Sequence, residues 1–451
     1  MMRKEPQSYI RKEKILICAL IISSILPLLD GSIVNIVLSS LSQYFHASKS
    51  SVQWVATAYF LASVPGLLIC SYLQRRLGVR ATWLCANLIF LLGSLATGLS
   101  YNFVTIIAAR IVQGLGTGLL LPLTQSIIGS QFGPERLRQV MGTVAIPTVF
   151  APAIGPIIGA SITQYFSWRL LFFINIPLII LSIILGKKYI KTQNPEKTSF
   201  NAPAFISFSI SLISFFYLPI IIHKNSPKTV YIFIAMSFIS FIIFILINYK
   251  SRTKLILLSG FNNFDYCLLI FMGLMTAFIF FSFLVFYPLV KLQNTSSSLN
   301  LLLIGAILGL QGVGAWLGRQ FIYQKWKEAS PFFMLGLGLL IATIGLLFFG
   351  HTFTLDAIGF LIRGMGFGIA TIVCLTAPLQ YSAKHFIKDT AVITRIAQQI
   401  GGACGGIFTG LLIHMIFMQK INLNQAYLVF LIISFIILII LITIRSILKN
   451  Y

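Results

Sequence analysis

The sequence predicts an all-α polytopic membrane protein: two six-helix bundles with two further transmembrane helices inserted between them. Three observations carry this. Of 451 residues, 57% are hydrophobic and 9% are charged, where soluble domains carry about 25% charge. That leaves too little polar surface to keep a soluble enzyme of this length dispersed. Long apolar runs recur at the roughly 20 residues needed to cross a bilayer. The 33 Lys and Arg, against 9 Asp and Glu, lie in short clusters between those runs. A nucleic-acid binder would gather them on one face or tail, so no nucleic acid is expected as a partner.

Fourteen spans follow in order. The basic stretch Met1 to Lys14 leads into the first, 15–38, which is too long for a signal-peptide core and shows no small-residue cleavage site before Asp30. It is read as a retained span. The next five lie at 52–73, 82–99, 103–128, 140–162 and 168–185, and two more at 202–222 and 230–248. The last six occupy 264–290, 299–317, 332–349, 355–380, 391–417 and 426–444. With the N-terminus inside, inner segments carry 24 Lys and Arg and outer loops 6, while Arg110, Arg363 and Arg395 lie within spans. That four-to-one excess is what the positive-inside rule demands, and dropping one span scrambles it. Both termini are expected in the cytoplasm.

The polar segment from Lys187 to Asn201 closes the first bundle. The domains are therefore 1–186, a first six-helix bundle; 187–250, a cytoplasmic linker with two inserted helices; and 251–451, a second bundle. The bundles echo each other: Arg110-Ile-Val-Gln-Gly114-Leu-Gly116-Thr-Gly118 in the fourth helix recurs as Arg363-Gly364-Met-Gly366-Phe-Gly368 in the twelfth. Paired six-helix halves are a transporter design.

Asp30 is the one acid well inside a span; the other eight fall in loops or at helix ends. An ionisable group there costs at least about 2.5–3.5 kcal/mol on insertion scales, so it faces a partner or a watery cavity. Desolvation opposes its charge, which suits a group that takes and releases a proton. The competing reading is a static ion pair between helices. Asp30 lies about 12 Å from the outer face at 1.5 Å per residue, and Arg110 at a similar depth, so the two can meet. Asp265 and Asp356 begin helices, where capping is the expected job. No second carboxylate is evident in the later spans.

In the fifth helix, Gly155-Pro156-Ile-Ile-Gly159 combines small residues four apart with a helix-bending proline; the thirteenth carries a similar run, Gly401 to Gly406. Each is ordinary close packing or a rocking interface. The dense Phe between 264 and 287 offers either a greasy cavity wall or core packing. The six cysteines and five histidines show no metal-ligand or disulfide spacing, and no phosphate-binding Gly-Lys loop is present. No metal, cofactor or enzymatic activity is expected.

Several stretches together resemble the major facilitator superfamily, and within it the fourteen-helix drug/proton antiporters of the EmrB/QacA type. Leu29-Asp30-Gly-Ser-Ile33-Val34-Asn35 resembles that branch's Leu-Asp-x-Thr-Ile-Val-Asn stretch, and Trp54-Val-Ala-Thr57-Ala-Tyr59-Phe-Leu61 its Trp-x-x-Thr-x-Tyr-x-Leu. Arg110 to Gly114 matches Arg-x-x-Gln-Gly, whose arginine is implicated in proton coupling. Gly155-Pro156-x-x-Gly159 resembles the exporter motif Gly-Pro-x-x-Gly-Gly, with Ala160 for the last glycine. Trp168-Arg169, Phe173 and Asn175-Ile-Pro177 resemble the tail at the sixth helix. The loop after the second helix departs from the family's Gly-x-Leu-x-Asp-Arg-x-Gly-Arg-Arg: Ser71 replaces the glycine and Arg75 the acid, while Arg76, Gly78 and Arg80 remain.

The resemblance implies a major facilitator fold and a proton-coupled secondary transporter in a bacterial inner membrane, exporting lipophilic compounds, cationic ones included, by alternating access. Alternatives are export of one endogenous metabolite or lipid-like molecule, or a degenerate non-transporting relative. Asp30 and Arg110 are the expected proton-coupling residues, and Asn35, Tyr59, Gln113 and Arg363 the cavity residues. Gly114, Gly116, Gly118, Gly155, Pro156, Gly159, Gly78, Arg76 and Arg80 are assigned to gating and helix packing. Partners are a small-molecule substrate, protons and the lipid bilayer, with a periplasmic adaptor protein left open.

Overall fold

The computed structural model describes residues 11–192, 195, 199–221, 227–251, 253–255, 261, 263–291, 298–323, 329–350, 352–381 and 387–449. The basic stretch before Arg11, part of the 187–201 linker, and Glu5, Glu196 and Glu328 lie outside them. The described chain forms fifteen α-helices: α1 (Arg11–Tyr44), α2 (Lys49–Val52), α3 (Trp54–Leu77), α4 (Val79–Gly98), α5 (Phe103–Tyr165), α6 (Arg169–Phe173), α7 (Asn175–Lys187) and α8 (Ala202–Ile221) complete the first eight. The rest are α9 (Pro227–Lys250), α10 (Phe264–Lys291), α11 (Ser298–Leu317), α12 (Pro331–Leu346), α13 (Phe353–Gln380), α14 (Ile387–Phe417) and α15 (Leu423–Lys449). A π-helical turn, Gly318–Tyr323, follows α11.

Among the described residues eleven helices are long and apolar enough to cross a membrane, and Ala202–Leu218 and Pro331–Leu346 are shorter apolar helices. The second limb of α5 completes fourteen crossings. The fourth and fifth spans, expected as separate helices, are one helical run of 63 residues. Arg110 and Gly155 would stand about 68 Å apart on a straight helix, yet Arg110 pairs with Asp30 and Gly155 packs on Ser32 of the same α1. The run therefore folds back on itself as two limbs while its connection stays helical. The sixth span breaks at Ile174 into α6 and α7. Pro177 lacks the N–H that would bond to the Phe173 carbonyl, and its ring crowds that turn.

Helix starts follow the side chains. The Asn102 carboxamide accepts from the Thr105 amide at 2.8 Å and the Thr105 hydroxyl accepts from the Asn102 amide at 3.2 Å, a reciprocal capping box at α5. Thr352 caps α13 by accepting from the Leu355 amide at 3.3 Å. The cap of α13 is thus Thr352 and not Asp356.

Glycines fix the register between the two bundles. A Cβ on Gly114 would lie 2.3 Å from the Tyr59 carbonyl oxygen of α3, and one on Gly364 2.2 Å from the Gln311 carbonyl oxygen of α11. Gly118 and Gly368 repeat this against Ser63 and Ala315; Gly116 presses on α4 and Gly366 on α12. Each glycine lets two backbones touch. Gly114, Gly116 and Gly118 therefore correspond to Gly364, Gly366 and Gly368. That register is the one the glycine echo in the sequence implies, and it puts Arg363 in the place of Gln113 and Phe360 in the place of Arg110.

The bundles meet reciprocally. The second limb of α5 packs on α1 through Gly155 and Gly159 and on α11 through Pro156 and Ala160, which Gly305 approaches. In the second bundle α14 packs on α10 through Gly401 and Gly405 and on α3 through Gly406, which faces Thr57. An apolar core joins the bundles at the end away from Arg11, taking Val34, Val37 and Leu41 of α1 with Phe283 to Leu289 of α10, Ile304 of α11 and Leu412 of α14.

Candidate functional site

Five helices converge on Asp30, which is buried in the middle of α1. One carboxylate oxygen forms an ion pair with Arg110 Nη1. The other accepts from Gln113 Nε2 at 2.9 Å and from Asn175 Nδ2 at 3.2 Å. Arg110 Nη1 also donates to Gln113 Oε1 at 2.6 Å, and Arg110 Nε donates to the Val55 carbonyl at 3.0 Å. Gln113 Nε2 reaches Ser94 Oγ of α4 at 2.8 Å. The Arg110 guanidinium lies 4.1 Å from the centre of the Tyr59 ring, a geometry that favours a cation. Tyr59 is locked in place, its hydroxyl donating to the Pro27 carbonyl at 2.7 Å and accepting from Thr117 at 2.8 Å.

Local structure explains the convergence. Arg110 and Gln113 are three apart, so they share a face of α5. Asn175 opens α7, and its amide donates to Asp30 and to Ser94 of α4. Asn175 and Ser94 escape a motif search for charged groups, although Asn175 lies inside the matched sixth-helix tail.

The chemistry available is competition for one carboxylate. A proton on Asp30 removes the charge that holds Arg110, and Arg110 Nη2, which has no partner among the described residues, gives the guanidinium room to re-pair. Breaking such a buried pair is costly, so the Asp30–Arg110 contact ties α1 to α5.

Other expected site residues stand apart. Asn35 is buried one turn further along α1; its amide donates to the Gly31 carbonyl at 3.3 Å, away from Asp30. Gly78, with φ of 81°, joins α3 to α4 in a conformation that favours glycine. Together with Arg80 it lines a hollow of about 230 Å³, smaller than ordinary ligand pockets. Arg76 is exposed beside it. Arg363 lies in the second bundle, buried among α10, α11 and α13.

One centre went unpredicted. Asp356 is fully buried and pairs with Lys291 at 2.7 Å, accepting also from the Tyr287 hydroxyl at 2.9 Å and the Gly350 amide at 3.3 Å. The later spans therefore do hold a second carboxylate. Its position near a helix start disguised it, because capping and burial look alike in sequence.

Fourteen apolar crossings in two pseudo-equivalent bundles, with ionisable groups buried between helices, define a membrane transporter and not an enzyme. The chain belongs to the Major Facilitator Superfamily, whose family model matches residues 20–406. It is 25% identical over 411 residues to a multidrug resistance protein B homolog of Mycobacterium tuberculosis, covering 85% of this chain and 73% of that one. It is 27% identical over 406 residues to the lincomycin resistance protein LmrB of Bacillus subtilis, covering 86% and 82%. Among solved structures it resembles a peptide transporter POT, with a TM-score of 0.72, 14% identity and 97% and 99% coverage. A D-xylose-proton symporter gives a TM-score of 0.68 at 12% identity, covering 95% and 97%. At those identities the likeness is one of fold.

Proposed function

We propose that the protein is a proton-coupled exporter of lipophilic small molecules, working by alternating access with both termini in the cytoplasm of a bacterial inner membrane. The observation that carries this reading is the buried Asp30–Arg110–Gln113–Asn175 network. It gathers one carboxylate, one arginine and two amides at the junction of α1, α4, α5 and α7, which supports a carboxylate that exchanges its arginine for a proton. Names given to relatives, multidrug resistance protein B homolog and lincomycin resistance protein LmrB, fit export of foreign compounds.

In this mechanism Asp30 takes a proton from the outer side, releases Arg110, and returns the proton inward when the pair re-forms. Asp30 and Arg110 carry the coupling; Gln113, Asn175 and Ser94 orient the carboxylate; Tyr59 holds the guanidinium. The Gly155–Pro156–Gly159 face and the Gly401–Gly406 face are the surfaces on which the bundles rock. The domain division at 186 and 250 belongs to the same reading.

The test is proton-driven dye accumulation in everted vesicles. Wild-type accumulation that collapses with a protonophore and is absent in Asp30→Asn supports the reading. Protonophore-sensitive accumulation that survives in Asp30→Asn removes Asp30 from the coupling role.

A further inference from the structure

Four Asp, Glu, Lys or Arg side chains are buried among the described residues: Asp30, Arg110, Asp356 and Arg363. Asp30 is matched by Arg110 and Asp356 by Lys291. Arg363 is left over, with no carboxylate in ion-pair contact among the described residues. Asp356 lies seven residues earlier on α13, about 10 Å along the axis, and is engaged elsewhere.

The surroundings of Arg363 leave buried donors without acceptors among the described residues. Its side chain is 0% exposed and that of Gln311, on α11, 3%. Arg363 Nη2 donates to the Ile279 carbonyl at 2.8 Å, and Nη1 reaches Gln311 Oε1 at a long 3.3 Å. Arg363 Nε and Gln311 Nε2 have no partner among the described residues. Two buried donors are thus unsatisfied on side chains that touch each other, against the strong rule that buried donors are paired. The guanidinium carbon lies 4.5 and 4.7 Å from the centres of the Phe283 and Phe367 rings. Neutral acceptors and rings do not discharge a desolvated cation; the missing element is a negative charge.

Resting on the transporter reading above, we propose that Arg363 and Gln311 recognise an acidic group on the transported molecule, so that the substrate is a lipophilic organic acid. A carboxylate accepts from the guanidinium fork and from the free Gln311 N–H, satisfying the orphaned donors at once. The apolar body lies against α10, whose Phe281 ring packs on Phe60 of the first bundle at 4.6 Å. A single helix therefore separates Arg363 from the junction of the bundles, and access follows when α10 shifts off α13. This inverts the expectation of cationic substrates: a buried, unpaired arginine repels them.

The test uses two dyes that share a tricyclic skeleton and differ in charge, fluorescein (anionic) and rhodamine 123 (cationic). Each is titrated by fluorescence anisotropy against the full chain in lipid nanodiscs. Wild type is expected to bind fluorescein at least about 10-fold more tightly than rhodamine 123. Arg363→Gln is expected to weaken fluorescein by about 10- to 100-fold, the range for a charge-assisted contact. Gln311→Glu keeps the arginine and adds an internal counter-charge; it is expected to raise the melting temperature while losing fluorescein, and it carries the test where Arg363→Gln fails to fold. Fluorescein affinity unchanged in Gln311→Glu overturns the proposal, as does wild type that prefers rhodamine 123. Proton-driven transport of rhodamine 123 alone would sink the acid site and leave the exporter standing. Binding of fluorescein without transport of either dye would do the reverse.

Discussion

The two bundles share a skeleton and differ in what they bury. In each, three glycines two apart let a central helix touch its neighbours, at Gly114, Gly116 and Gly118 in one and Gly364, Gly366 and Gly368 in the other. In the first bundle the space beside them holds a carboxylate with three donors. In the second, the position equivalent to Arg110 is Phe360, packed within an aromatic nest with Phe283, Tyr287 and Phe349. The position equivalent to Gln113 is Arg363. Beyond Asp265 in its first turn, α10 has no acid to match Asp30 of α1. Backbone approach is thus held in common while charge is not: one bundle buries a matched ion pair, the other an arginine with no carboxylate in contact among the described residues.

Removing Asp30 breaks this comparison most severely. Asp30→Asn leaves Arg110 desolvated and without its counter-ion, a change that costs about 3–5 kcal/mol in buried pairs. The double variant Asp30→Asn/Arg110→Gln removes both charges and is expected to recover most of that loss while remaining inactive in proton-driven transport. Thermal unfolding in detergent measures both. Equal melting temperatures for wild type and Asp30→Asn would mean that the pair contributes nothing to the fold.

Asp356→Asn is the matching experiment in the second bundle, and its effect should be smaller. Lys291 keeps 18% of its side chain exposed where Arg110 keeps none, so it reaches water when its partner is neutralised. Tyr287→Phe removes one hydrogen bond to the same carboxylate and should cost less again, about 1.5–3 kcal/mol at most for a charged acceptor. A loss from Asp356→Asn as large as that from Asp30→Asn would show that the two centres are equally desolvated.

These contrasts bear on what the sequence could reveal. Span number and the paired bundles were legible because apolar length and basic clusters follow directly from the bilayer. Asp30 and Arg110 were legible because depth along two antiparallel helices is simple arithmetic. The surroundings of Arg363 were not: the shared glycines put it three residues from the place of Arg110, and its neighbours Gln311 and Ile279 come from other helices. Backbone contact across helices leaves no mark in one sequence. Asp356 was missed because one turn from a helix start is a capping position in most proteins, and burial there depends on α10 and on Lys291, 65 residues earlier in the chain. The continuous α5 was missed because charged residues between spans read as a loop, although they are adequate helix formers.

The shared skeleton can be tested separately from the charges. Gly114→Ala and Gly364→Ala each put a methyl group within 2.3 Å of a backbone oxygen, and overpacking of this kind costs about 1–3 kcal/mol. The two should lower the melting temperature alike. Gly129, on the same α5, has nothing within 4 Å of its missing Cβ, so Gly129→Ala should be neutral or slightly stabilising through helix propensity. Unequal losses at Gly114 and Gly364 would mean that the bundles tolerate spreading differently.

The smallest effect is expected at Arg75, where the family resemblance expects an acid. Arg75 is exposed in the last turn of α3, and a cation there suits the negative end of the helix. The polar link from this turn to α5 is made instead by its neighbour: the Ser126 hydroxyl donates to Gln74 Oε1 at 2.7 Å, and Gln74 Nε2 donates to Cys70 Sγ at 3.2 Å. Gln74 ties α3 to the first limb of α5 without a charge, which makes an acid at position 75 unnecessary for holding that end together. Arg75→Asp should therefore leave the melting temperature and the dye-transport rate unchanged, while Gln74→Ala should change the rate. A faster rate in Arg75→Asp would reverse the assignment, placing the latch on the charge and making Gln74 a bystander.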